Sequence, residues 1–153
     1  MAAIKTAATL SLAPLTAKWI GEVAALQQQA MASVWSTSQW QQALGERYYS
    51  YIALIDDVVC AAVVFATVLD EAELETIFVH PDFRTQGAAS ALLHLAFKSL
   101  PKAINKVFLE VDTSNTVAIT LYERFSFKAI NVRKAYYTNT PGNGDALIML
   151  RQQ

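Results

Sequence analysis

The stretch RTQGAASALLHLAFKSL, residues 84–100, decides the fold, because a loop of small residues leads directly into the most apolar helical segment of the chain. The residues at its start are Arg84, Thr85, Gln86, Gly87, Ala88, Ala89 and Ser90. The first turn of a helix exposes about four unpaired backbone N–H groups and carries roughly half a positive charge. An anion binds there if no bulky side chain blocks its approach. The pattern therefore favours a phosphate or pyrophosphate site; close packing against a strand is the alternative that spacing leaves open.

The segments on either side of this helix predict two strands. ELETIFV ends at His80-Pro81, where a strand should stop because proline cannot donate to a sheet. KVFLEVD, residues 106–112, predicts a short buried strand. A strand, a crossover helix and a second strand imply parallel pairing.

The remaining segments predict further strands and helices. YYSYIALID and VVCAAVVFATVLD read as a hairpin that turns at Asp56-Asp57. The first ten residues, with Ile4, Thr6, Thr9 and Leu10, predict an edge strand, and FKAINVRKAYY and DALIMLR predict two strands joined by PGNG.

The apolar residues from Leu15 to Met31 have helical spacing and predict a first helix. Ser36 is the predicted N-cap of a short second helix, and Ser114 or Asn115 is the predicted N-cap of a later helix that ends near Phe125. The predicted order is β-α-α-β-β-β-α-β-α-β-β. This is an α/β (α+β) fold with a mixed, mostly antiparallel sheet, a central parallel pair and helices on both faces, in one domain over residues 1–153.

Composition restricts the function classes. Apolar residues make up 54% and charged residues 16% of the 153 residues, which argues against disorder. No apolar run is long enough to span a bilayer, and MAAIKTAATLSLAPL is a poor signal peptide. With a net charge of −1 and no basic run, neither nucleic acid nor an anionic membrane is an expected partner. These features predict a cytoplasmic protein.

The cysteine and the histidines give no metal or redox pattern. Cys60 is alone, which excludes an internal disulfide, and its apolar surroundings predict a buried, inert thiol. His80 and His94 lack a third ligand in a recognisable pattern, so both are predicted to be structural or surface residues and no metal is expected.

The motifs resemble a known family. Arg84-Thr-Gln-Gly-Ala-Ala89 is similar to the R/Q-x-x-G-x-G/A signature of the GCN5-related N-acetyltransferases (GNAT), which implies a GNAT fold and acetyl-CoA as cosubstrate. FLEVDTSNTVAITLYERFSFK and VRKAYYTNTPGNGDALIML resemble the RimI-type branch, and the resemblance covers nearly the whole chain. That branch acetylates the N-terminal alanine of a small-subunit ribosomal protein. Ala89 stands where glycine is more frequent, and Val34 where this branch often has proline before Trp-Ser.

The resemblance assigns roles to individual residues. The loop of residues 84–90 would bind the pyrophosphate of acetyl-CoA, with Asn115 contacting the cofactor. The backbone of Ile77, Phe78 and Val79 would receive its pantetheine arm. Tyr136 and Tyr137 would wall the peptide groove, with strand packing as the alternative.

Glu110 and Tyr122 are the candidate catalytic residues. An acyl transfer to an amine needs a base for the amine and an acid for the departing thiolate. Glu110 lies near the carboxyl end of an apolar strand, where ligands bind in open sheets and where burial of a carboxylate favours proton uptake; a rim carboxylate paired with Lys or Arg is the alternative. Tyr122 lies two helical turns after Asn115, on one face, and its phenol stays protonated at neutral pH; an ordinary buried tyrosine is the alternative.

The expected function is therefore acetylation of a protein N-terminus. Within the family, a lysine or a small amine is the alternative acceptor. A non-catalytic acyl-CoA-binding scaffold is the alternative of another class, and the presence of both Glu110 and Tyr122 argues against it. A toxin that acts on aminoacyl-tRNA would need a basic face, which the sequence does not show. The oligomeric state is left open.

Overall fold

The computed structural model describes residues 9–138 and 140–153, and the predicted order of elements is confirmed. The strands are β1 (Leu10–Pro14), β2 (Tyr48–Ile55), β3 (Val58–Val68), β4 (Glu71–Val79), β5 (Lys106–Asp112), β6 (Lys128–Arg133) and β7 (Ala146–Gln152). The helices are α1 (Ile20–Ala30), α2 (Thr37–Gln42), α3 (Ala88–Ser99) and α4 (Thr116–Arg124). Short 3₁₀ turns cover Ala17–Trp19 and Pro81–Phe83. The part of the predicted first strand that contains Ile4 and Thr6 lies outside the described residues.

Most boundaries agree with the sequence, and three do not. β1 covers Leu10–Pro14 and so extends past the first ten residues predicted for it, β6 ends at Arg133 and not at Tyr137, and α1 begins later than predicted. The helical spacing predicted a helix from Leu15, but the N–H of Leu15 donates to the carbonyl of Ser50 at 2.9 Å and so continues the edge strand. The chain therefore turns through a 3₁₀ segment first, and α1 begins at Ile20. At α2, Ser36 is the N-cap as predicted, and Gln39 completes a capping box with it.

One seven-stranded sheet organises the chain, in the order β1-β2-β3-β4-β5-β7-β6. The pairing of β4 with β5 is parallel and the other pairings are antiparallel, as expected. The last strand, β7, inserts between β5 and β6, an arrangement that the order of segments did not predict. Asp56 and Asp57 form the β2–β3 turn with φ values of 50° and 67°, which match the positive φ of a two-residue hairpin turn.

The two faces of the sheet carry separate apolar cores. On one face, α3 and α4 cover residues that include Ala61, Val63, Phe65, Val107, Leu109 and Val111. On the other face, α1 and α2 cover residues that include Ile52, Leu54, Ala62, Val64 and Phe78. Because β3 is buried on both faces, it reads as a continuous apolar run. Cys60 lies in this strand with no exposed surface, as predicted, and burial raises the pKa of its thiol.

The parallel strands β4 and β5 separate at the centre of the sheet. Their pairing covers only Glu71–Glu73 against Lys106–Phe108. A register shift where Val64 pairs with Thr76 and Phe65 with Leu74 leaves Glu75 as an extra residue, a β-bulge that bends β4. The carboxyl ends of the two strands therefore diverge and open a gap towards the start of α3.

Over residues 9–138 and 140–153, no helix combines the length and the apolarity that crossing a membrane requires.

Candidate active site

The loop before α3 leaves the first turn of that helix accessible. Thr85 and Gly87 take positive φ values of 68° and 82°, and the carbonyl of Gly87 accepts the N–H of Ala91 at 3.0 Å. The following N–H groups, of Ala88, Ala89 and Ser90, belong to the first turn, where the helix itself supplies no acceptor. A Cβ built on Gly87 meets no atom within 4 Å. Open space at this residue and exposed amides in the first turn together suit an anion.

A cavity of about 1390 Å³ begins at this loop and runs along the gap between β4 and β5. Of the residues predicted to bind a cofactor, those that line it are Ile77, Phe78, Val79, Arg84, Thr85, Gly87, Ala88, Ala89, Ser90 and Asn115. Gln86 is exposed and is not among the lining residues. Two arginines, Arg84 in the loop before α3 and Arg124 at the end of α4, add positive charge to the cavity wall. The structure thus brings together ten of the eleven predicted binding residues.

The backbone of β4 can extend the sheet towards a ligand. Ile77, Phe78 and Val79 pair with β3 on one side, and on the other side they lie beyond the three residue pairs shared with β5. Backbone groups on this free side are oriented to pair with an extended amide-containing chain, as an added strand would be.

Tyr122 reaches the cavity from the opposite wall. Asn115 caps α4, and its Oδ1 accepts the N–H of Ala118 at 3.2 Å. Asn115 and Tyr122 both line the cavity, so they lie on the same side of the helix, as predicted. Tyr122 is only 6% exposed and packs edge-on against Phe127. Burial, with a smaller contribution from Tyr137, raises the pKa of Tyr122 above its ordinary value, so its phenol remains protonated at neutral pH. Tyr122 therefore fits both alternatives, a catalytic acid and an ordinary buried tyrosine, because its ring packs in the core and it also lines the cavity.

Glu110 lies on the other face of β5. Leu109 and Val111 point into the core that contains Tyr122, and alternation along the strand sends Glu110 to the opposite face. Its side chain is 23% exposed, and its Oε1 lies 3.3 Å from Nη1 of Arg133 on β6. The expectation of a buried, unpaired carboxylate is corrected, because the neighbouring edge of the sheet supplies a cation. Glu110 lines a separate cavity of about 410 Å³ on this face.

Two further side chains lie near Glu110. Asp112, which was not assigned from sequence, lines the large cavity, and the hydroxyl of Thr140, with the amide and hydroxyl of Ser114, lowers its pKa. Tyr137, predicted with Tyr136 to wall the peptide groove, lines the large cavity, as Tyr136 does. Burial, followed by the negative charge of Glu110, raises the pKa of Tyr137 to about 12.

The loops that complete the cavity carried no recognisable sequence signal. Met31, Ala32 and Ser33, between α1 and α2, form part of the wall. Their loop is held by the buried side chain of Gln27, whose Oε1 accepts the N–H of Trp35 at 2.8 Å. These residues have no distinctive chemistry, so only the folded chain reveals them.

The histidines lie outside the large cavity and make structural contacts. Nδ1 of His80 accepts the N–H of Asp82 at 3.0 Å, and its Nε2 lies 2.7 Å from Oε1 of Gln29. The ring of His94 packs edge-on against Phe125. Among the residues that the structure describes, no group of three His, Cys, Asp or Glu side chains is placed to hold a metal ion.

Comparison with known proteins gives a consistent result. The sequence model of the "Acetyltransferase (GNAT) family" matches residues 17–127. The chain is 38% identical over 125 residues to the [ribosomal protein bS18]-alanine N-acetyltransferase of Escherichia coli K12, covering 81% of this chain and 84% of that protein. The protein of the same name from Salmonella typhimurium is 36% identical over 147 residues, covering 95% and 96%.

A solved structure shares the fold. The crystal structure of the ribosomal-protein-S18-alanine N-acetyltransferase from Escherichia coli superimposes with a TM-score of 0.87 at 33% identity, covering 94% of each chain. The shared fold therefore covers nearly the whole of both chains.

Proposed function

Because the chain belongs to the GNAT family of acetyltransferases, which use acetyl-CoA, we propose that it acetylates the N-terminal alanine of a small-subunit ribosomal protein. The relatives that support this acceptor are 38% and 36% identical to the chain over 125 and 147 aligned residues, which cover 81% and 95% of its length. The observation that carries the proposal is the placement of Glu110 and Tyr122 on opposite faces of β5, next to the gap between β4 and β5.

The residues of the large cavity fit acetyl-CoA. The first turn of α3, with Arg84 and Arg124 nearby, offers amides and positive charge for the pyrophosphate, and the space at Gly87 admits it. The free side of β4 at Ile77–Val79 offers backbone groups for the pantetheine amides. Bound in this way, the cosubstrate supplies a thioester carbonyl at the gap.

The chain's own residues then perform the proton transfers. An α-amino group has a pKa near 8 and is mostly protonated at neutral pH. Glu110, on the acceptor side of β5, takes the proton directly or through a water, and Tyr122, on the cofactor side, donates one to the departing thiolate. The amine nitrogen forms the new bond to the acetyl carbon while the carbon–sulfur bond breaks.

The acceptor assignment is tested with three peptides of equal length. The first has the N-terminal sequence of the ribosomal protein bS18, the second is the same peptide with a blocked α-amino group and a free lysine, and the third begins with proline. We expect release of CoA and a mass gain of one acetyl group with the first peptide only. Faster turnover of the blocked, lysine-containing peptide would contradict the proposal in favour of a lysine acetyltransferase.

Gly87→Glu is expected to raise the dissociation constant for acetyl-CoA by at least about tenfold, because a carboxylate would face the pyrophosphate where the helix start favours an anion. Isothermal titration measures it, and thermal melting confirms that the variant folds. Gly87→Ala is the matched control: it has the same unfavourable φ of 82° without the charge, so it should lose stability, about 1 kcal/mol, with a smaller loss of affinity. Equal dissociation constants for Gly87→Glu and the wild type would contradict this assignment.

We further propose that residues 1–153 form one acetyltransferase domain, which the continuous sheet from β1 to β7 supports. The partner is the substrate protein's N-terminus. A ribosomal acceptor places the reaction in the cytoplasm.

A further inference from the structure

Arg133 contacts two residues at the acceptor side of the site. Its Nη1 lies 3.3 Å from Oε1 of Glu110, and its Cζ lies 4.8 Å from the centre of the Tyr136 ring. Tyr136 packs edge-on against Tyr137, with 5.0 Å between the ring centres. The guanidinium is therefore held between the carboxylate and an aromatic pair, although half of the Arg133 side chain is exposed.

The sheet explains how Arg133 reaches Glu110. Arg133 is the last residue of β6 and pairs with Ala146 of β7, which in turn pairs with Asp112 of β5. Glu110 lies two residues before Asp112 on the same face, so the arginine side chain extends diagonally across β7. The small side chain of Ala146 leaves this path clear.

We propose that Arg133 is a positioning residue for acetyl transfer, which holds the carboxylate of Glu110 directed to the acceptor side while Tyr136 restrains the guanidinium. This inference rests on the proposed function, in which Glu110 is the base.

The other charges around Glu110 show why a cation matters here. Asp112 lies on the same face of β5, and Glu73 and Glu75 of β4 line the cavity that Glu110 also lines. Tyr137 adds a weakly acidic phenol, and Arg47 lines the far part of that cavity, where it acts on Glu75. Like charges repel one another. Arg133 is the cation in direct contact with Glu110, so it offsets this repulsion and keeps the Glu110 side chain in place.

The test compares kcat and KM for the alanine-starting peptide in the wild type, Arg133→Met, Arg133→Lys and Lys128→Met. We expect Arg133→Met to lower kcat by about threefold with little change in KM, the effect of losing one partly exposed ion pair that orients the base. Arg133→Lys should restore most of kcat. Lys128→Met, which removes a positive charge from the exposed start of the same strand, should leave kcat and KM unchanged.

Two outcomes separate this inference from the proposed function. A wild-type kcat in Arg133→Met, together with slow turnover in Glu110→Gln, would overturn the role of Arg133 and leave the base in place. Unchanged turnover in Glu110→Gln would overturn the base, and the role of Arg133 with it. A crystal structure of Arg133→Met is independent of activity: a displaced Glu110 carboxylate supports the inference, and a carboxylate in its original place refutes it.

Discussion

Glu110→Gln lowers kcat for the alanine-starting peptide by about a hundredfold or more, the usual contribution of a general base. The amide has nearly the same size as the carboxylate but cannot accept a proton from the α-ammonium group. Dissociation of acetyl-CoA should change little, because Glu110 lies on the face of β5 away from the cofactor residues of α3 and α4. Steady-state kinetics over pH 5.5–9.5, with a CoA-release assay, measures the effect. The dependence of kcat on pH should differ between the variant and the wild type.

Glu123→Gln is the matched control for this change. Glu123 is exposed on α4 and lies outside both cavities, so its loss should leave kcat and the pH profile at their wild-type values. A Glu110→Gln enzyme with wild-type kcat and an unaltered pH profile would remove Glu110 as the base. The ionised Asp112, which lines the large cavity, would then be the next carboxylate to test.

Tyr122→Phe slows turnover by about a hundredfold while acetyl-CoA affinity is preserved, since the substitution removes one proton donor and keeps the ring. The ring packs against Phe127 in the core, so the variant should fold normally. Burial raises the pKa of Tyr122, which keeps the acid form present to a higher pH than for a free phenol. Tyr122 therefore should not cause a decline of the wild-type rate below about pH 10.

Rapid-quench kinetics separates the chemical step from product release, and equilibrium titration gives the affinity for acetyl-CoA. Tyr51→Phe serves as the control, because Tyr51 of β2 packs against the same core and lies outside both cavities. Wild-type single-turnover rates in Tyr122→Phe would end the assignment of this residue as the acid. A loss of cofactor affinity equal to the loss of rate would instead indicate a binding role.

Local patterns predicted the elements well because they depend on neighbouring residues. KVFLEVD alternates and is bounded by polar residues, and it forms a strand with the predicted limits. Ser36 and Asn115 both cap helices, because the side-chain oxygen of each accepts the backbone N–H of the residue three positions later. The residues of the α3 loop that line the large cavity could also be predicted, since the small side chains and the start of the helix belong to one continuous segment.

Contacts between distant segments were not predictable in this way. The insertion of β7 between β5 and β6 depends on pairing across the whole sheet, and no local pattern records it. Arg133 lies in β6, an exposed edge strand where an arginine gives no sign of a specific contact. It contacts Glu110 only because β7 lies between β5 and β6 and sets the distance between them. The error about Glu110 has the same origin: its partner lies 23 positions later in the chain.

The short pairing of β4 with β5 also affects how the protein responds to its cosubstrate. These two strands share three residue pairs, so the sheet has a weakly paired junction between its two halves. Acetyl-CoA bound along β4 as proposed would bridge that junction, and any ligand that binds only the folded state adds about 2.7 kcal/mol of stability at a hundredfold excess over its dissociation constant. The enzyme's resistance to heat and proteolysis should therefore rise and fall with the acyl-CoA supply of the cell, which links its lifetime to metabolic state.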